Sequence, residues 1–325
     1  MIALRKAFDI KIAPIFLFLL IVPLFLRQYH LVVLNLVLIY VIVIVGYNFV
    51  LGYTGLLSLA HAAFYGLGAY STSIFIVTLN IPFYLSFVAG GIFTALVGLL
   101  LCFLLLKTDL SGLYLGMVTF AFAEALVWIF LHWERMTGGA FGFAIGSKYT
   151  FQGSPYLKSY YLSLLCALIL IWFGANLINS KVGRAFKSIR DSEEASMAMG
   201  INTFSYKLFS FVLSAFYAGI GGGLYSIVMR QIYPGNFGLH ESLKQFSMLI
   251  IGGQGTISGA LIGAFILPVL TEVLRSVSIL QDLFYCLILV LFIMFMPKGI
   301  SGLRLKKISG LGEKVFGSRN IQTLV

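Results

Sequence analysis

Residues 31–51 read LVVLNLVLIYVIVIVGYNFVL, without one charged side chain. A helix that crosses the hydrocarbon core of a bilayer needs roughly 20 apolar residues in a row, and this run supplies them. Working outward, comparable runs occupy 12–28, 56–79, 83–106, 112–133, 160–178, 204–229, 242–253, 256–275 and 279–296. The fold class that follows is all-α: a polytopic transmembrane helix bundle of about ten spans, or eight or nine if the weakest runs do not cross. The run 242–253 is short for a crossing, and Gly252 and Gly253 mark it as broken or re-entrant. Composition agrees, since 60% of the 325 residues are hydrophobic and 10% are charged. A soluble domain carries about 25% charged residues, so lipid is the solvent for most of this surface.

The net charge of +11 does not point to nucleic acid, because the basic residues sit in short loops and tails between apolar runs. With the N-terminus inside, ten crossings place 15 of the 22 Lys and Arg on the cytoplasmic side. That bias agrees with the positive-inside rule and with contact to anionic lipid headgroups. Arg27, Gln28, Tyr29 and His30 follow the first apolar run in place of a small-x-small cleavage site, so this run is expected to be an uncleaved span. Cys102, Cys166 and Cys286 lie inside apolar runs and read as small core residues. The expected organisation is one transmembrane domain over 1–303, with a cytoplasmic loop at 179–203, and a basic cytoplasmic tail over 304–325.

Small residues four apart let helices approach closely in lipid. Three such ladders occur: Ser58, Ala62, Gly66; Gly255, Gly259, Gly263; and Ala215, Gly219, Gly223. The first two adjoin glycine-rich turns, Gly52-Tyr53-Thr54-Gly55 and Gly252-Gly253-Gln254-Gly255. Non-helical backbone at membrane depth survives only where protein or a water-filled cavity satisfies its polar groups. Tyr53, Thr54, Ser58, Gly252, Gly253 and Gln254 are therefore candidates for a translocation pathway. So are His61 and Glu124, polar groups inside apolar runs. A mid-span carboxyl costs roughly 2.5–3.5 kcal/mol on insertion scales, so Glu124 is expected to face the bundle interior with a partner. A structural hydrogen bond between helices is the rival reading for both residues. No His, Cys, Asp and Glu cluster has metal-ligand spacing and no catalytic constellation can be assembled, so neither an enzyme nor a resident cofactor is expected.

The segment Gly183 to Gly200, GRAFKSIRDSEEASMAMG, reads as a short amphipathic helix or two. A cap is expected at Asp191 or Ser192 and a stop at Gly200. Helix-in-groove docking is the natural use of such an element. Glu194-Ala195-Ser196-Met197-Ala198-Met199-Gly200 resembles the EAA-xxx-G signature of ABC importer permeases, with Ser at its third position. The wider stretch Gly183 to Ser226 is similar to the LivM family of branched-chain amino acid permeases. So are Gly52 to Ser71, Tyr114 to Trp128, Thr137 to Gly139, Gly252 to Ala264 and Pro297 to Leu303. These six blocks stand in the family's order and cover most of the chain from about 35 to 303. Ser196, Ala60 and Lys298 depart from the family's usual Ala, Gly and Arg.

The resemblance implies an importer driven by ATP on separate subunits, and the chain carries no G-x-x-x-x-G-K-[ST] phosphate loop of its own. Partners implied are a homologous, LivH-like second permease, two cytoplasmic ABC ATPase subunits and an extracytoplasmic substrate-binding protein received by the 134–159 and 230–241 loops. Arg184, Arg190, Asp191, Glu193, Glu194, Ala195 and Gly200 would form the loop that couples the chain to an ATPase. Leucine, isoleucine and valine are the implied cargo, in a bacterial inner membrane. Urea, short amides and other hydrophobic amino acids stay open within the same class. An ion-coupled carrier or channel using Glu124 or His61 is the alternative from another class.

Overall fold

The computed structural model describes residues 20–108, 112–146, 155–274, 287, 290, 294 and 299–301. In chain order the helices are α1 (Gln28–Tyr47), α2 (His61–Val77), α3 (Phe83–Lys107), α4 (Gly112–His132) and the single turn α5 (Glu134–Thr137). They continue with α6 (Pro155–Asn179), α7 (Lys181–Asp191), α8 (Glu193–Ala198), α9 (Thr203–Met229), α10 (Leu239–Gly252) and α11 (Ile257–Leu274). α1 runs on without a break into a π-helical segment, Asn48–Tyr53. The only strands among the described residues, β1 (Phe143–Ala144) and β2 (Gln231–Ile232), pair antiparallel.

Among the described residues five helices are long and apolar enough to cross a membrane: α1 with its π-helical extension, α3, α4, α6 and α9. At about 1.5 Å per residue, the 25 residues of α3 reach about 37 Å. The all-α, polytopic reading therefore holds. Residues 12–19 of the expected first span, nearly all of the last span and the tail 304–325 fall outside the described residues.

The bundle is built around α9. Of its apolar window 83% is buried, against 28% for α6. Small residues spiral around α9, so several neighbours approach at once. A Cβ on Gly222 would lie 1.9 Å from the carbonyl oxygen of Tyr65 in α2, and one on Gly221 2.4 Å from Val43 in α1. Gly98 of α3 faces Ala215, and Gly91 meets Gly219. Dispersion between close backbones replaces the hydrophobic drive that lipid removes. The ladder Ala215, Gly219, Gly223 is thus a helix-contact surface.

Two expectations need correction. The run 56–79 is not helical throughout: α2 begins at His61, and Leu56 to Ala60 form no helix. Ser58 accordingly does not share a helical face with Ala62 and Gly66. Glu124 does not point into this bundle. α4 buries Leu115, Gly116, Thr119, Ala123, Val127 and Phe130, and Glu124 lies on its exposed side. A helix repeats its face every three or four residues, so those packed positions leave Glu124 on the other side.

α10 and α11 form a hairpin, since Gly252 sits against Gly259 and Gly263. Its turn reaches the end of the bundle where the π-helical segment of α1 ends, termed here the junction end. At the opposite end, the loops after α5 and α9 are joined by the β1–β2 ribbon and by Ile145 N–H donating to the Arg230 carbonyl at 2.7 Å. This is the ribbon end.

Candidate functional site

The glycine turns that sequence placed two hundred residues apart meet at the junction end. The Asn48 amide joins them: its Nδ2 donates to the Thr256 carbonyl at 3.0 Å, and its Oδ1 accepts from Gly255 N–H at 2.9 Å. Gly253 and Gly255 have φ of 114° and 78°, a region open to glycine at little steric cost. A third segment joins them. Gly299 packs on Gly253, where a Cβ would come within 2.5 Å, and Thr256 Oγ1 donates to Ser301 Oγ at 3.1 Å.

Arg190 locks this junction. Its Nη1 donates to the Gly52 carbonyl at 2.5 Å, while its stem passes over Gly55 and its guanidinium lies where a Gly255 side chain would be. The residue comes from α7, whose apolar stripe Ala185, Phe186 and Ile189 is buried and aims Arg190 at the turns. Ser180 caps α7 by accepting from Val182 N–H, and Ser192 caps α8 by accepting from Ala195 N–H. Each cap satisfies an amide that a helix start leaves open. Ser188 and Ser196 hydroxyls meet at 2.7 Å and fasten α7 to α8. The buried Ser196, a departure from the family signature, thus has a hydroxyl partner waiting for it.

The other loop residues divide between anchoring and display. Glu193 pairs with Lys207 of α9. Arg184, Asp191, Glu194, Ala195 and Gly200 are exposed, as are Met197 and Met199, the latter at 82%. Gly200, with φ of 79°, has nothing among the described residues within 4 Å of a would-be Cβ. The turn projects freely.

Above the junction the pathway candidates line an unwound strand of chain. Thr54 Oγ1 donates to the Val50 carbonyl at 2.7 Å and meets Ser210 Oγ of α9 at 3.3 Å. Leu56 to Ala60 then climb through the protein interior, their polar backbone groups met by side chains. Tyr47 hydroxyl donates to the Ser58 carbonyl at 2.5 Å, Leu59 N–H donates to Thr119 Oγ1 at 3.0 Å, and Ser242 Oγ donates to the Leu59 carbonyl at 2.9 Å. His61 opens α2 fully enclosed, with Nε2 3.0 Å from the Val43 carbonyl and Nδ1 3.2 Å from Ser214 Oγ. Its ring stacks on Tyr47 at 4.5 Å. His61 is therefore an interhelix bridge between α1, α2 and α9. Buried Tyr53 lies beneath the Lys187 ammonium, 5.8 Å away, and Gln254 is exposed at the hairpin turn.

Glu124 has neither a hydrogen bond nor an ion pair among the described residues. Sequence reasoning also passed over a polar cluster at the ribbon end, where Glu241 and Lys244 face Tyr40. Its signal was present: Lys244 and Gln245 fall inside the run 242–253, with His240 and Glu241 just ahead of it. Among the described residues no group of three His, Cys, Asp or Glu side chains could hold a metal ion.

Comparison with known proteins places this architecture. The high-affinity branched-chain amino acid transport system permease protein LivM of Escherichia coli K12 is 27% identical over 311 residues, covering 86% of this chain and 73% of that protein. The corresponding LivH protein of Salmonella typhimurium is 25% identical, covering 81% of this chain and 91% of its own length. A probable LivH permease of Methanocaldococcus jannaschii is 32% identical over about half of each chain. No solved structure matches. Residues 29–296 match the family described as branched-chain amino acid transport system, permease component, and the chain belongs to that family as a multi-pass membrane protein.

Proposed function

We propose that this chain is a membrane subunit of an ATP-driven importer of branched-chain amino acids in a bacterial cytoplasmic membrane. Both termini and the junction end face the cytoplasm in this reading. The working assembly adds a homologous second permease, two cytoplasmic ATPase subunits and an extracytoplasmic binding protein that docks at the ribbon end. The names of the relatives support the cargo and the second permease. The Arg190 contact carries the mechanism.

The exposed face of α8 and the turn after it, with Glu194, Met197, Met199 and Gly200, form a protruding apolar knob beside a carboxylate. It suits insertion into a groove on an ATPase. A displacement of that knob passes through Ser196 and Ser188 into α7, and Arg190 carries it to the Gly52 and Gly255 turns together. These turns end α1 and join α10 to α11, next to the unwound segment 54–60. Glycine turns held by side-chain bonds can adopt a second arrangement, so the nucleotide state of the motor biases a two-state bundle. No nucleotide binds this chain in the cycle; its residues transmit and gate.

Proteoliposomes holding the whole assembly test the reading. Leucine uptake is expected to require ATP and the binding protein, and to be competed by isoleucine and valine but not by urea or short amides. Arg190→Ala is expected to lower uptake at least tenfold while ATP hydrolysis continues. Uptake by the chain without ATPases, driven by an ion gradient, would sink the importer reading. Wild-type uptake in Arg190→Ala would remove the transmission route.

A further inference from the structure

At the ribbon end α1, α9, α10 and α11 part around a cavity of about 470 Å³, within the size range of small-ligand sites. Its wall combines aromatic rings with opposite charges. Glu241, 9% exposed, and Lys244 occupy successive turns of α10, with Nζ and Oε2 3.7 Å apart. Lys244 also donates to Tyr40 hydroxyl at 2.9 Å and lies 4.6 Å over that ring. Gln245 Nε2 donates to the other Glu241 oxygen at 3.1 Å. Tyr65 and Tyr225, their ring centroids 5.3 Å apart, line it as well, together with His240 and Glu272. Tyr65 is 1% exposed and lines the cavity, yet its hydroxyl has no hydrogen-bond partner among the described residues.

A purely structural cluster would not leave these features. Charges in a membrane bundle are costly unless closely paired, and this pair stands too far apart for a hydrogen bond. A buried hydroxyl without a partner costs about 1–3 kcal/mol. An aliphatic α-amino acid resolves both. Its carboxylate fits Lys244 and the Tyr65 hydroxyl, its ammonium fits Glu241, and its apolar side chain fits the tyrosine faces. One long ion pair becomes two short ones.

We propose that this chamber is a binding site for a free aliphatic α-amino acid on the permease itself, held through both of its charges by Lys244 and Glu241. The proposal rests on the transport reading above, for it names where the cargo first sits after leaving the binding protein. It makes the chain itself a reader of the amino-acid headgroup.

The test is equilibrium binding of radiolabelled leucine to the permease–ATPase assembly in nanodiscs, without the binding protein. Leucine is expected to bind, while 4-methylpentanoate, which lacks the ammonium, and 3-methylbutylamine, which lacks the carboxylate, are expected not to compete. The charge-swapped double variant Lys244→Glu/Glu241→Lys keeps an ion pair but reverses its polarity, and should weaken binding at least tenfold. Tyr65→Phe removes one hydroxyl from an unchanged ring, and should weaken it several-fold. Absence of leucine binding to the wild type overturns the proposal, as does wild-type affinity in the swapped or Tyr65→Phe variants. Uptake by the complete system is measured alongside. ATP-driven leucine uptake with a chamber that does not bind leaves the transport reading standing and removes only this site.

Discussion

Gly52 stands where three parts of the chain converge, and its lack of a side chain is what lets them. A Cβ there would lie 1.8 Å from Asn48 Oδ1 and 2.6 Å from the Gly255 nitrogen. Gly52→Ala must therefore expel the Asn48 amide from both of its bonds to the hairpin turn. Overpacking costs about 1–3 kcal/mol, and each lost bond adds about 1 kcal/mol. Thermal unfolding of the purified assembly should show a clear fall in Tm, with uptake lost. Gly200→Ala is the contrast, because its Cβ meets nothing among the described residues and only its positive φ resists, at about 1 kcal/mol. A Gly52→Ala protein with wild-type Tm and uptake would mean that the junction is loose and Arg190 grips nothing rigid.

Among the elements, the pair α7–α8 was legible in sequence and the segment 56–60 was not, for a physical reason. Capping is local chemistry: Ser192 accepts from Ala195 three residues on, and Gly200 ends the turn through its own φ. The backbone of 56–60 is held by Tyr47, Thr119 and Ser242, which lie 11, 60 and 183 residues away from their partners. An apolar run shows nothing of such bonds, so it read as helix. The same holds for Asn48, an ordinary polar interruption until the hairpin turn arrives from 207 residues away. The α7–α8 fastening offers a measurable test. Ser188→Ala and Ser196→Ala each remove one end of a 2.7 Å bond, and each should destabilise by about 1 kcal/mol. The double variant should cost less than the sum, with a coupling of about 0.5–1 kcal/mol in a double-mutant cycle. Additive costs would show that the two hydroxyls do not hold the helices together.

For the whole molecule, Glu124 is the residue that a single chain leaves unexplained. The sequence marks it as costly to place in lipid and predicts that its cover comes from the same bundle. α4 instead turns a stripe outward that includes Tyr114, Met117, Ala121, Glu124 and Trp128, and the large members are well exposed. A carboxyl at the middle of a span costs roughly 2.5–3.5 kcal/mol in hydrocarbon, so this stripe requires protein or water opposite. In the proposed assembly the second permease supplies it, with the transport path running along or beside their contact. The sign of one substitution decides the matter. If Glu124 faced lipid, Glu124→Leu would stabilise the chain and leave transport intact. If it faces the second permease or the path between them, Glu124→Leu should cut uptake at least tenfold, and Glu124→Gln, which keeps hydrogen-bonding capacity, should cut it less. A photo-cross-linking side chain in place of Ala121, one turn away on the same stripe, should attach to the second permease. Adducts to lipid alone, together with a fully active Glu124→Leu, would turn this face outward and leave the subunit contact to another helix.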